Sequence, residues 1–397
     1  MNRFNLQTLM FVFLLLLSCK QKSGSSVLVS ADQNLNQNNN AEMTITKSLF
    51  GHTEEGTPVH CFLLQNVFGM KVEIIEFGAI VSSIKVPDKK GKFDDVVLGY
   101  DNLEGWQKDP YYFGATIGRV ANRMGGAQFT LKSETYDLAP NTLPDFGNNH
   151  LHGGVKGFNK VLWTGKEFSR DKEVGVRLEY LSKDGEEGYP GNLKCIVEYS
   201  LSEDNSLSIR FEAATDKTTI ANFTHHSYFN LNGAGSSNIL GHMIQINADR
   251  YTPADNDLIP LGDIAEVKGL PVDFTTERSI GSRFEEMRSE KFKGYDLNYV
   301  LNLSIDGALD LAATVRSKSS GRVLEVFTTQ PCMHFYTSNF LTGERGKSGI
   351  SYDQYGAFCL EPQAFPDAPH HENFQSIELN PGDTYLQKII YRFSFRD

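Results

Sequence analysis

Five segments of this chain hold polar side chains in apolar company, and their chemistry is that of proton transfer and hydroxyl recognition. In Phe358-Cys359-Leu360-Glu361-Pro362-Gln363 a carboxyl stands inside an apolar run, with Gln363 two residues on and therefore on the same strand face. Burying a carboxyl is costly, so such a residue is either paired or functional. Residues 222–231 (NFTHHSYFNL) carry His225 and His226 side by side. Adjacent strand residues face opposite ways, so only one of the two can look into a given site, and a two-histidine chelate is disfavoured. In residues 149–154 (NHLHGG), His152 precedes two glycines, where backbone can come close to a ligand. Residues 117–123 (IGRVANR) place Arg119 and Arg123 in an apolar stretch. A buried arginine needs partners, so one is expected to serve structure and the other a ligand. Gly294-Tyr295-Asp296 adds a second carboxyl, and His370-His371 reads as solvated surface because no third metal ligand accompanies it. Taken singly, each of these groups is more often a satisfied core residue than a catalyst.

The elements that must position them read as strand after strand. Residues 207–213 alternate apolar and polar with period two, the mark of a half-buried strand. Residues 174–181, 323–327 and 388–395 are β-branched and aromatic runs, and turn-forming stretches such as Asn380-Pro381-Gly382-Asp383 separate such runs. Helix is confined to a short stretch at 282–291 and a turn at 103–108. The expected class is all-β, a large antiparallel β-sandwich of two packed sheets. No Gly-rich phosphate loop or repeat is present, and a net charge of −11 argues against nucleic acid as a partner.

The first residues have a different character. Arg3 precedes an apolar run at 9–17 that is too short to cross a bilayer, followed by Leu16-Leu17-Ser18-Cys19. This resembles a bacterial lipoprotein signal over 1–19, with Cys19 as the lipidated residue. A Ser-, Asn- and Gln-rich tether covers 20–43, and the folded domain covers 44–397. The expected location is an exported lipoprotein that meets the membrane only through its lipid, facing the periplasm or cell surface. Cys61, Cys195, Cys332 and Cys359 show no metal or CxxC spacing and are expected as buried free thiols.

The segments IGRVANR, LHGG, NFTHHSYFNL, YTPAD, LPVDF, GYD, TTQP, FYTSNF and CLEPQAFPDAP, in this order, resemble those of the aldose 1-epimerases (galactose mutarotases). The resemblance implies a β-supersandwich with a monosaccharide, galactose or glucose, in an open cleft, no cofactor, no metal, and a monomeric enzyme. It implies Glu361 as catalytic base, His226 as acid and His152 as a second active-site histidine. Asn122, Arg123 and Asp296 would grip sugar hydroxyls, with Tyr228 lining the cleft. Proton transfer at the anomeric hydroxyl and ring oxygen calls for an ionised carboxylate and a protonated imidazole, the charge of Glu361 being held by Arg123 or Gln363. Two positions depart from the family pattern: His334 stands where a hydroxyl-binding Gln is usual, and Leu297 follows Asp296 where His is usual. Three rivals compete with this reading. They are a sugar-binding lipoprotein without turnover, a glycosidase using Asp296 and Glu361, and an epimerase of phosphorylated hexoses, which would want a basic pocket.

Overall fold

Alternation of residue type does what it predicts in the strand Ser206–Thr215, where Leu207, Ile209, Phe211 and Ala213 all point into the core. The computed structural model describes residues 42–289, 291–305 and 307–396. The signal, Cys19 and nearly all of the tether lie outside the described residues. The runs read at 174–181, 323–327 and 388–395 form the strands Glu173–Ser182, Arg322–Thr328 and Tyr385–Phe395. With Ser206–Thr215 they belong to one nine-stranded antiparallel sheet.

The second layer is divided. One five-stranded sheet is built from residues 44–95. A second runs in the order Ala265–Glu266, Arg250–Thr252, Asp296–Val300, Cys332–Tyr336 and Cys359–Gln363. A single hydrophobic cluster draws on all three sheets, joining Val197 and Phe211 to Phe62 and Val72 and to Met333, Phe335 and Leu360. Strand period then dictates that the residues between these core positions, Cys332, His334, Tyr336 and Glu361, face the other way. Helix is as sparse as expected, with Leu103–Lys108 capped by the Asn102 side chain and Phe284–Met287 a single turn.

Of the two arginines, one is committed to structure. Arg119 is 2% exposed, and its guanidinium donates to the carbonyls of Pro190 (2.8 Å), Gly191 (3.0 Å) and Lys183 (3.1 Å) and to Ser182 Oγ (2.6 Å). It ties the segment before the site to the turn at 182–191. All four described cysteines are free and buried. Cys332 lies opposite Gln363 and Cys359 opposite Tyr336, so they sit at opposite ends of one strand pair. Replacing Arg119 by Met leaves several buried carbonyls without their donor. Urea denaturation is expected to show a loss of roughly 3 kcal/mol, and a loss under about 1 kcal/mol would mean that the arginine is dispensable.

Candidate active site

The register of the second five-stranded sheet sets out the polar floor of a cleft. Asn298, His334 and Glu361 lie in one row across three neighbouring strands, and Asp296 lies opposite Tyr336 in the next. The cleft above them has a volume of about 340 Å³, and Asn122, Arg123, His152, His226, Asp296 and His334 line it together with aromatic rings. Two larger depressions exist, of about 440 and 560 Å³. Chemistry rather than size marks the site, because in the 440 Å³ depression the lysines are already paired, as Lys347 is with Asp95 at 2.8 Å.

Glu361 and His226 form the buried pair. His226 Nε2 stands 3.4 Å from Glu361 Oε2, and the two residues are 4% and 1% exposed. Neither Glu361 Oε2 nor His226 Nδ1 has a hydrogen-bond partner within the protein. Tyr228 stacks on the His226 ring at 5.1 Å and Tyr112 lies nearly parallel to it at 6.0 Å, which walls the pair from water. Desolvation pushes the carboxyl of Glu361 well above its ordinary range, the Asp296 charge adds to this, and the Arg123 charge opposes it. Desolvation likewise pulls the His226 imidazole far down. Burial thus works against the charged forms of both groups, and Arg123 supports the carboxylate.

Asn122 organises the remainder. It adopts φ of 64°, a left-handed conformation that asparagine tolerates. Its backbone N–H donates to His152 Nδ1 (3.2 Å), and its carbonyl accepts from the His152 N–H (3.0 Å). Its side-chain Oδ1 accepts from the Arg123 N–H (2.9 Å), and Nδ2 reaches His334 Nδ1 at 3.2 Å. His334 Nε2 in turn lies 2.6 Å from Asp296 Oδ1. The Asp296 carboxyl is held below its usual value, although burial opposes this, by its bond to His334 and the charge of Arg123. Gly153 is required beside His152: at φ of 84°, a Cβ there would stand 1.8 Å from the Gly118 carbonyl oxygen.

His152, His226 and Glu361 each bring one donor atom within 4.8 Å of the others, a grouping a metal ion could use. The hydrogen bonding argues against it. Because His152 Nδ1 accepts the Asn122 amide hydrogen, the imidazole proton sits on Nε2. Binding a metal through Nε2 would shift that proton to Nδ1 and set two N–H groups against each other. The arrangement suits proton transfer better than coordination.

The cleft thus gathers Asn122, Arg123, His152, His226, Tyr228, Asp296 and His334, with Glu361 against His226. As strand geometry requires, His225 faces away, bonded to Ser227 Oγ (2.8 Å) and near Tyr199 OH (3.4 Å). Gln363 is not brought to the cleft wall. It is fully buried opposite Cys332, and its amide bonds neither Glu361 nor any other group. It shares a face with Glu361 but lies two residues deeper along the strand. His370 and His371 are not merely solvated, since both approach the buried Asp367 carboxylate, at 2.6 and 3.5 Å. Sequence reasoning missed Tyr112, whose φ of 63° turns its ring to 4.8 Å from His152. The Pro110-Tyr111-Tyr112-Phe113-Gly114 run was the available signal.

Comparison with known proteins agrees with this geometry. A family profile described as aldose 1-epimerase matches residues 60–392. Galactose mutarotase of Bos taurus is 43% identical over 354 residues, which is 89% of this chain and 99% of that protein. Aldose 1-epimerase of Escherichia coli K12 is 35% identical, covering 85% of this chain and 96% of its own. The crystal structure of galactose 1-epimerase from Lactobacillus acidophilus superposes with a TM-score of 0.76 at 27% identity, over 90% of this chain and all of that one. A family profile over residues 60–392, with relatives 35–43% identical that are matched nearly end to end, places this chain in the aldose 1-epimerase family.

Proposed function

We propose that the chain interconverts the α and β anomers of a hexose, and that Glu361 and His226 move the protons. The observation that carries this reading is the 3.4 Å approach of His226 Nε2 to Glu361 Oε2 in a cleft walled from water. Ring opening proceeds from the state with a Glu361 carboxylate and a His226 imidazolium. The Glu361 carboxylate takes the proton of the anomeric hydroxyl, the oxygen's electrons form the aldehyde C=O, and the C1–O5 bond breaks. The ring oxygen takes its proton from His226. Rotation about C1–C2 presents the other carbonyl face. On closure the C5 hydroxyl attacks and returns its proton to His226, while Glu361 returns its own to O1. One proton serves both directions, so no cofactor enters the derivation.

The surroundings are arranged to move that proton. Arg123 stabilises the carboxylate form of Glu361, and the Asp296 charge favours the imidazolium form of His226. Burial favours the neutral forms of both groups, which is also the state that follows ring opening. His152, neutral through burial and protonated on Nε2, supplies a hydrogen-bond donor to the sugar. Galactose or glucose is the proposed substrate, because the mammalian relatives carry galactose in their names and, among the described residues, a single arginine lines the cleft. The signal resemblance supports a further proposal, that Cys19 is acylated and tethers a monomeric domain to a membrane face.

Three outcomes test these readings. In polarimetry of freshly dissolved α-D-galactose, Glu361→Gln is expected to lose about 10²–10⁴-fold in kcat, and undiminished turnover would remove Glu361 from the mechanism. Because burial lowers the imidazole of His226 and raises the carboxyl of Glu361, the singly protonated pair persists below the ordinary histidine range. After subtraction of the spontaneous rate, kcat should stay level from pH 8 down past 6.5, and an inflection in kcat at about 6.5 would contradict the assignment. Cys19→Ser should release the protein from the membrane fraction and abolish palmitate labelling in a bacterial host; unchanged fractionation would exclude the anchor.

A further inference from the structure

Arg123 lines the sugar cleft, yet its side chain has little to hold it there. The residue is 8% exposed, and its Nε has no hydrogen-bond partner among the described residues. The guanidinium lies over the Phe146 ring, 5.8 Å from the centroid. A cationic head held so loosely takes its position from the main chain beneath it, and misplacing such a group is expensive in binding and in rate. What fixes that main chain therefore matters to the site.

Neighbours on both sides fix it. The Arg123 N–H donates to Asn122 Oδ1 at 2.9 Å, and Arg123 stands opposite Leu151 in a short antiparallel ladder. The remaining neighbour is Asp367, on the segment that continues from Glu361 through Gln363. Its N–H donates to the Arg123 carbonyl (3.2 Å), and its Oδ1 accepts from the Gly125 N–H (2.9 Å). Main chain and side chain of one residue thus grip one turn. Asp367 is 3% exposed and left-handed, with φ of 56°, and its carboxylate is met by His370 Nδ1 at 2.6 Å and His371 Nε2 at 3.5 Å. Burying a carboxylate and holding a residue other than glycine at positive φ both cost free energy. The bonds to the turn and to His370 offset part of that cost.

We infer that Asp367 is a positioning residue, which ties the segment bearing Glu361 to the turn bearing Arg123 and so sets the guanidinium against the sugar and the base. This role rests on the mutarotase reading and concerns placement, since Asp367 does not line the cleft. The Arg123 charge favours the Glu361 carboxylate, so a turn that drifts loses support for the base as well as a grip on hydroxyls. An asparagine at 367 keeps an oxygen for the Gly125 N–H and for His370, and its NH₂ can face His371. Alanine keeps the main-chain bond to Arg123 and loses the grip on Gly125.

The experiment compares wild type, Asp367→Asn, Asp367→Ala, Arg123→Met and the double variant Asp367→Ala/Arg123→Met by polarimetry on galactose, with the galactose Kd measured by calorimetry. KM and Kd are expected to rise about fivefold in Asp367→Ala and less than about twofold in Asp367→Asn. In kcat/KM, the further loss caused by alanine at 367 should shrink below about twofold once Arg123 is already Met, because the two residues act as one unit. An equal loss in both backgrounds would overturn the inference, as would a lowered Tm with KM and Kd unchanged. If the alanine variant shows no cooperative unfolding transition, Gly125→Ala tests the same grip from the partner's side. Its Cβ would stand 3.3 Å from Asp367 Oδ2 and 3.4 Å from Ile259 Cγ2, so the carboxylate must yield. A KM raised about threefold or more then supports the tie, and an unchanged KM overturns it. Absence of any wild-type turnover would instead fail the mutarotase reading, and the Kd comparison would still decide the role of Asp367.

Discussion

Desolvation of ionisable groups is the constraint on which this structure turns. Two carboxyls and three imidazoles gather at one cleft, where Glu361 is 1% exposed and the histidines no more than 7%. Burial disfavours every charged form, so the groups survive there only by sharing protons or by matching donors to acceptors. Glu361 and His226 only approach the first solution, 3.4 Å apart with Glu361 Oε2 and His226 Nδ1 unpaired. Asp296, His334, Asn122 and His152 adopt the second, linked by bonds from His334 to Asp296 and Asn122 and from Asn122 to His152. Reactive and hydrogen-bonded groups thus sit side by side, and the bonded ones hold the cleft in shape.

The fold provides for this by splitting its second layer. Core residues on one face of the strand Cys332–Tyr336 anchor it to the large sheet through Met333 and Phe335, and the opposite face is left for His334 and its neighbours. Segments outside the sheet complete the site. Asn122 and His152 come from turns in left-handed conformations, and Gly153 permits the backbone of one turn to lie against the other. Arg119 anchors the first of these turns from behind without touching the cleft wall.

Much of this was legible in the chain itself. Period-two alternation identified the strands of the large sheet, and the same rule separated His226 from His225. The cost of burying arginine separated Arg119 from Arg123 in kind, although not which was which, since that depends on what lies 63 to 72 residues away. Gln363 shows the limit of face arguments. It shares a face with Glu361, but the cleft ends before reaching it, and only the placement of the covering segments shows where. Tyr112 was overlooked because a left-handed residue outside glycine leaves no mark in periodicity.

The sequence by itself determined the class of fold and the family, and it nominated the candidate acid and base groups. These follow from local rules of alternation and from motifs whose residues stand close together in the chain. Tertiary structure alone decided the burial that raises the Glu361 carboxyl, the tautomers of His152 and His334, and the reach of the cleft. Each depends on burial or on a partner far along the chain; Asn122 and His334 are 212 residues apart. A side chain's type is written locally, but its charge and its hydrogen bonds are set by whatever the fold brings against it.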